Sequence, residues 1–142
     1  MKLKGIFNGS IIKKDGRIIT WHKDNLIVNM GYEFVANAMF NNNNRPGILA
    51  YIGLGDGKTD TTVDMTTLEH ELLRAPATFN WDPVTRSVEL TAQIASPEPI
   101  QISEAAIFNA PIDGIMFDRV TFSTKGLDET DLAKPLFKIN FI

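Results

Sequence analysis

The amino-acid sequence predicts a mainly β protein, an antiparallel sandwich or barrel with one helix in its N-terminal half. Short runs rich in β-branched and aromatic residues recur along the chain and are separated by turn residues, which is typical of antiparallel β folds. Only residues 31–40 repeat apolar side chains at clear helical spacing. The length of 142 residues suits a single domain, 1–142, with one core.

The first predicted element is a β-hairpin. In residues 11–20, Asp15 and Gly16 lie between two β-prone arms, and this pair favours a tight turn with positive φ at both residues. We therefore expect residues 1–24 to form a hairpin extension that packs on the rest of the domain.

The predicted helix follows the hairpin. Tyr32, Val35, Ala36 and Met39 recur at helical spacing, and Asn29 precedes them as a candidate N-terminal cap. The polar residues 41–44, followed by Arg-Pro-Gly, predict a surface loop after the helix.

The remainder of the chain predicts strands and one short helical turn. Residues 48–55 form a short apolar run bounded by turn residues, which indicates a buried strand. Thr66 and Glu69 have the spacing of a capping box and precede two leucines, which indicates a short helical turn. Residues 87–95 alternate apolar and polar side chains, as a strand with one buried face does. Further strands are predicted at 78–81, 100–109, 115–123 and 136–142.

Composition and charge argue against several classes of function. A net charge of −3 gives no overall field for a polyanion, so we expect no nucleic-acid partner. No apolar run approaches the roughly 20 residues of a membrane helix or the apolar region of a signal peptide, so we expect no membrane partner and synthesis in the cytoplasm. The absence of cysteine excludes thiol catalysis and Cys-ligated metal.

The segment after residue 55 contains two patterns that partly match ligand sites. Residues 57–59 match the end of a phosphate-binding loop, but Ile52 stands where that motif needs its first glycine. Asp56, Asp60 and Asp64 lack the register of a helix-loop-helix calcium site. We therefore predict a solvated loop without cofactor or metal, and leave open an irregular ion site there.

No catalytic signature stands out. His22 and His70 have no partner at metal-ligand spacing, and the chain has no Gly-x-Ser-x-Gly elbow. We therefore predict no catalytic residues.

Four charged residues lie in or beside apolar runs: Glu71, Arg74, Glu104 and Arg119. A charge beside a core is tolerated when it is paired, and the planar guanidinium of arginine suits carboxylates best. The main prediction is therefore one or two structural Glu–Arg pairs. A catalytic carboxylate pair of Glu71 with Glu104 is a less favoured alternative.

Three segments stand in a characteristic order along the chain. They are Asn-Leu-Ile-Val-Asn at 25–29 leading into the helix, Tyr-Ile-Gly-Leu-Gly-Asp-Gly at 51–57 followed by 68–71 and Arg74, and Ile-Ser-Glu-Ala-Ala-Ile-Phe at 102–108 followed by Phe-Asp-Arg-Val-Thr-Phe at 117–122. Together they resemble the small structural proteins of tailed-phage tail tips, baseplates and tail-fibre attachments, among them the tail collar proteins of siphophages.

The resemblance implies an immunoglobulin-like β-sandwich without enzymatic activity or cofactor, located in the virion tail. It implies assembly with itself, as a ring or trimer, and contacts with tail-tube or baseplate proteins and with a tail-fibre protein. It also places shared Glu and Arg positions on the four charged residues named above. The alternative function is a carbohydrate-binding module that uses exposed aromatic residues such as Trp21 or Trp81, and a cell-wall hydrolase comes third.

Overall fold

The computed structural model of the protein describes residues 2–142, which form ten strands and one helix. With 50% of residues in strands, the predicted mainly β class is confirmed. The elements are β1 (Leu3–Ile12), β2 (Ile18–Ile27), α1 (Asn29–Phe40), β3 (Tyr51–Gly55), β4 (Glu71–Pro76), β5 (Thr78–Asp82), β6 (Ser87–Thr91), β7 (Ile100–Phe108), β8 (Asp118–Leu127), β9 (Leu132–Ala133) and β10 (Leu136–Phe141).

The strands form one antiparallel sheet that nearly closes on itself. Its order is β4-β3-β7-β8-β2-β1-β10-β6-β5, with the short β9 paired to β1. The two terminal strands, β4 and β5, are consecutive in the chain and are separated by Ala77 alone. The Ala77 N–H donates to the Ala50 carbonyl at 2.8 Å. The chain therefore passes directly from one end of the sheet to the other.

The N-terminal hairpin lies in the middle of this sheet and does not form an extension packed on it. β1 pairs with β10, and β2 pairs with β8. The predicted extension 1–24 is therefore part of two central strands, the second of which continues to Ile27. The turn also differs from the predicted one. Gly16 has a φ of 90°, but Asp15 does not have a positive φ, because its carboxylate accepts the Arg17 N–H at 3.0 Å in a wider turn.

The helix forms where predicted, but Asn29 is not its cap. α1 begins at Asn29 itself, Val28 occupies the cap position, and no side chain caps the helix. The Asn29 N–H donates instead to the Val63 carbonyl at 2.7 Å. A tertiary contact therefore satisfies the helix end. No helix within residues 2–142 has the length and apolar character needed to cross a membrane.

The predicted short helical turn around Thr66 does not form. Residues 66–70 are irregular, and the two leucines after them belong to β4. Glu69 does not take part in a capping box, because its carboxylate accepts the backbone N–H groups of Lys58 and Thr59 at 2.9 and 3.2 Å. The local signal is overridden by a contact across the loop.

The core is built from both ends of the sheet. Phe7 of β1 stacks on Phe122 at 5.5 Å between ring centroids and meets Phe137 at 4.9 Å. The main cluster also takes Ile52 from β3 and Leu90 from β6, so strands far apart in the sheet order share one interior.

Candidate functional site

The carboxylate of Glu104 lies fully buried on β7 and accepts four hydrogen bonds. Its Oε2 accepts the N–H groups of Gly57 and His70 at 2.7 and 2.8 Å. Its Oε1 accepts the N–H of Glu69 at 2.8 Å and the Nε–H of Arg119 at 3.0 Å. Three of these donors belong to the β3–β4 loop, so one side chain holds that loop at both ends.

Arg119 on β8 completes this arrangement from the next strand. Its Nη1 donates to the Thr59 carbonyl at 2.7 Å and to the Thr61 hydroxyl at 3.0 Å. The Nη2 atom has no hydrogen-bond partner among residues 2–142. The hydrogen bonds of the other atoms of the pair offset part of the cost of burying the two charges. We use the name loop clasp for Glu104, Arg119 and the loop 56–70 that these two side chains hold.

The glycines of the phosphate-loop-like segment serve the loop clasp. A Cβ atom at Gly57 would lie 2.6 Å from Glu104 Oε2 and 2.4 Å from the Cβ of Glu69. A Cβ atom at Gly55 would lie 2.3 Å from the His70 carbonyl oxygen. The close approach of loop and carboxylate therefore requires glycine at both positions. The loop segment that partly matched a phosphate-binding motif therefore donates a backbone N–H, that of Gly57, to the carboxylate of Glu104 in the same chain.

The three aspartates of the same loop do not converge. Asp56 contacts His70, with 2.5 Å between Oδ1 and Nδ1, and Asp64 accepts the Thr62 hydroxyl at 2.6 Å. Among residues 2–142 no group of three or more His, Asp or Glu side chains is placed to hold a metal ion.

Arg74 and Glu71 form the second pair, along β4. Arg74 donates through Nε and Nη2 to the two carboxylate oxygens of Glu71, each at 2.6 Å. Its Nη1 donates to the carbonyls of Ala110 and Asp113 at 2.8 Å each, and its guanidinium lies 3.6 Å from the centroid of the Phe108 ring. This pair holds the turn between β7 and β8, as Glu104 holds the β3–β4 loop.

The four charged residues are thus divided between two separate pairs. Glu71 and Glu104 each bind a different arginine, and Glu104 has no access to solvent. Each carboxylate therefore serves its own arginine, and each pair holds a different loop or turn. Sequence reasoning selected these residues but not their backbone partners in the loops.

A further buried carboxyl group, Asp118 at the start of β8, had no sequence-based prediction. Its Oδ1 accepts the Ile107 N–H at 3.0 Å and its Oδ2 contacts the side-chain amide of Asn25. Burial raises the pKa of Asp118 to about 8, and the two hydrogen bonds offset part of that rise. The only sequence signal is its place within the apolar run at 115–120.

The two tryptophans differ in their availability for a ligand. The Trp21 ring packs against Phe122 at 5.1 Å, Lys125 Nζ lies 5.3 Å from its centroid, and a Cβ atom at Gly9 would lie 2.4 Å from it. Trp21 is therefore partly buried against these neighbours, although it also lines a groove of about 880 Å³. Trp81 contacts Phe141 edge-on at 5.8 Å and stays 44% exposed.

The end of the sheet at β5 exposes apolar side chains. Phe79 and Trp81 stand opposite Leu90 and Val88 of β6, so they share the core-facing side of the sheet. Phe79 is nevertheless 64% exposed. Beside it lies an apolar groove of about 620 Å³ whose lining includes Ile48, Phe79, Leu90, Ile139 and Phe141. We call β5 and this groove the open edge.

Comparison of the chain with protein-family models, with curated proteins and with solved structures finds no match in any of the three. The fold and the site therefore define the class in structural terms alone. It is a mainly β domain in which two Glu–Arg pairs hold loops and the terminal strand β5 exposes apolar side chains.

Proposed function

We propose that this protein is a non-enzymatic structural component of a phage tail, a collar or baseplate protein that surrounds the tail tube and anchors tail fibres. The observation that carries the structural role is the contrast between tightly held loops and the open edge. Rigid loops and an uncovered apolar strand suit a part that works by packing against neighbours. The phage assignment rests on the resemblance of the three segments.

The position of those segments supports treating the resemblance as one unit. Residues 51–57, 68–74, 102–108 and 117–122 map onto or beside β3, β4, β7 and β8, which are consecutive neighbours in the sheet. They contain both Glu–Arg pairs. These segments therefore lie together on four adjacent strands, which supports treating them as one structural unit.

The finer architecture belongs to the same proposal. We infer that the nearly closed sheet flattens into two facing layers, as the sheets of an immunoglobulin-like sandwich do. The shared core supports this arrangement, since Ile52 near one end of the sheet order and Leu90 near the other belong to one cluster.

Assembly around a tube requires each copy to make the same contacts, so we propose a symmetric ring or trimer. The further partners are a tail-tube or baseplate protein and a tail-fibre protein. These contacts are placed at strand edges and exposed loops, where apolar side chains such as Phe79 and Ile48 remain accessible.

The test is to locate the protein in particles. Virions are produced from the genome that encodes this chain, with a tag on the chain. The purified virions should contain the tagged protein, and a gold label against the tag should bind the tail near its tip. Light scattering of the purified protein, alone and with tail proteins from the same genome, should detect assemblies larger than the 15.8 kDa chain. Particles without the chain, together with a monomer under every condition, would contradict the proposal.

A carbohydrate-binding module is the second candidate, and Trp81 is the observation that favours it. A half-exposed tryptophan beside an exposed Phe79 offers a surface on which a sugar ring could stack. Titration with host surface polysaccharide would distinguish the candidates. Saturable binding that Trp81→Ala abolishes and Trp21→Phe preserves would favour the module over the tail protein.

A further inference from the structure

The two terminal strands of the sheet differ in the protection of their free edges. On β4, Pro76 lacks an N–H group, and the pairing with β3 shifts register between Leu54 and Gly55. Proline and irregular pairing both hinder the addition of another strand. β5 has neither feature, since its sequence Thr-Phe-Asn-Trp-Asp pairs in unbroken register with β6.

The unprotected edge also carries the side chains that a partner strand would cover. Phe79 and Trp81 point to the core-facing side, yet no described residue covers them fully. Asn80 lies between them on the opposite face and is exposed. A strand added beside β5 would pair its backbone and place its own side chains next to both aromatic rings.

We propose that β5 binds β5 of a second copy of this chain, antiparallel, about a two-fold axis at Asn80. This register places Phe79 opposite Trp81 of the second copy, twice, and cross-strand aromatic pairs stabilise antiparallel sheets. It places each Asp82 opposite Thr78, so the two carboxylates lie about 13 Å apart along the strands. A register centred on Asp82 would instead bring the two carboxylates together. The register centred on Asn80 therefore avoids this repulsion.

The size of the contact predicts its strength. Covering the exposed parts of Phe79 and Trp81 buries about 240 Å² per copy, taking about 200–250 Å² for each side chain. Even with the strand backbones, this is less than the roughly 1,200 Å² of a stable interface. The pairing should therefore be weak for isolated protein and useful where many copies are held together. The inference rests on the proposed function only in taking the protein to self-associate. A two-fold contact closes a pair of copies, so it joins copies of two rings or trimers and is distinct from the contacts within one ring.

A charge exchange at the two-fold axis tests the register. Asn80→Lys and Asn80→Asp each place like charges opposite each other, and each should weaken self-association about fivefold in sedimentation equilibrium. An equal mixture of the two variants should restore it, because Lys then faces Asp. His22→Lys is the matched control, since His22 is exposed on β2, which three strands of the sheet separate from β5. Unchanged association of both variants, or a mixture that behaves like its components, would overturn the proposal.

Disulfide trapping provides an independent test, because the chain has no cysteine of its own. Residues directly opposite in an antiparallel pair have Cα atoms about 4.5–5.5 Å apart, which is within the range of a disulfide. Asn80→Cys should form a covalent dimer under mild oxidation at high protein concentration, while His22→Cys should not. If the protein assembles but neither variant cross-links, this interface is wrong and the tail function stands. If tagged particles lack the chain but Asn80→Cys still cross-links, the tail function is wrong and the interface stands.

Discussion

The region around β7 and β8 and the open edge treat polar and apolar groups in opposite ways. In the loop clasp, charged side chains are buried and Glu104 accepts four hydrogen bonds. At the open edge, apolar side chains are exposed and a strand is paired on one side only. The first region couples loops to the core. In the second region, the described part of the same chain leaves apolar side chains partly uncovered. Under our proposal, the first region stabilises the fold and the second is the surface for association.

The largest expected effect comes from Glu104→Gln in the loop clasp. The amide keeps the size of the side chain but removes the charge opposite the buried Arg119 and turns one acceptor into a donor that faces a loop N–H. Removing one member of a buried ion pair costs about 3–5 kcal/mol. Urea unfolding should show this loss of unfolding free energy. Glu129→Gln, at an exposed position, is the control and should stay within about 0.5 kcal/mol.

The second prediction concerns the pH dependence of stability in the region around β7 and β8. Because the pKa of Asp118 is raised to about 8, the folded protein keeps a proton that the unfolded chain has lost, and stability should fall as pH rises between about 4 and 8. Asp118→Asn should remove this fall, since its side-chain oxygen can still accept the Ile107 N–H. The measurement is the difference in urea midpoint between variant and parent at several pH values. Parallel curves for the two proteins would show that Asp118 does not titrate in this range.

The third prediction concerns Arg74, where we expect a loss of unfolding free energy between the losses at Glu104 and at the open edge. Arg74→Met keeps an apolar stem over Phe108 but loses two hydrogen bonds to the β7–β8 turn. Glu71 stays partly exposed and can be hydrated, so the expected loss is about 1–2 kcal/mol, less than at Glu104. Arg17→Met removes an exposed pair with Asp15 and should change thermal stability little. A loss at Arg74 as large as at Glu104 would remove the distinction between the two pairs.

Much of the fold follows from periodic patterns, and the central role of the hairpin was missed for a physical reason. The inward positions of β1 alternate Leu3, Gly5, Phe7, Gly9 and Ile11, so two glycines interrupt the apolar pattern. They are needed because Cβ atoms there would lie 2.4 Å from the side chains of Asn25 and Trp21. A strand that accommodates large neighbours looks weak in sequence although it lies at the centre of the sheet.

The site was predictable in its charged residues and not in its partners. A charge beside an apolar run predicts a buried pair, and the structure forms Glu104–Arg119 and Glu71–Arg74. The N–H of Gly57 that binds Glu104 is 47 residues away in the chain, and no local pattern predicts such a contact. The exposure of Phe79 was equally unpredictable, because a strand whose apolar face is covered shows the same alternation of apolar and polar residues.

The smallest expected effect on stability comes from Phe79→Thr at the open edge, and this variant sharpens the comparison most. Threonine suits an exposed strand, and Phe79 is already 64% exposed, so the unfolding free energy should change by less than about 1 kcal/mol. Self-association should weaken, because each dimer loses two aromatic pairs. Val84→Thr, in the exposed β5–β6 turn, should leave both properties unchanged. A large loss of stability in Phe79→Thr would mean that the open edge belongs to the core of one chain, and the division between a stabilising side and an associating side would fail.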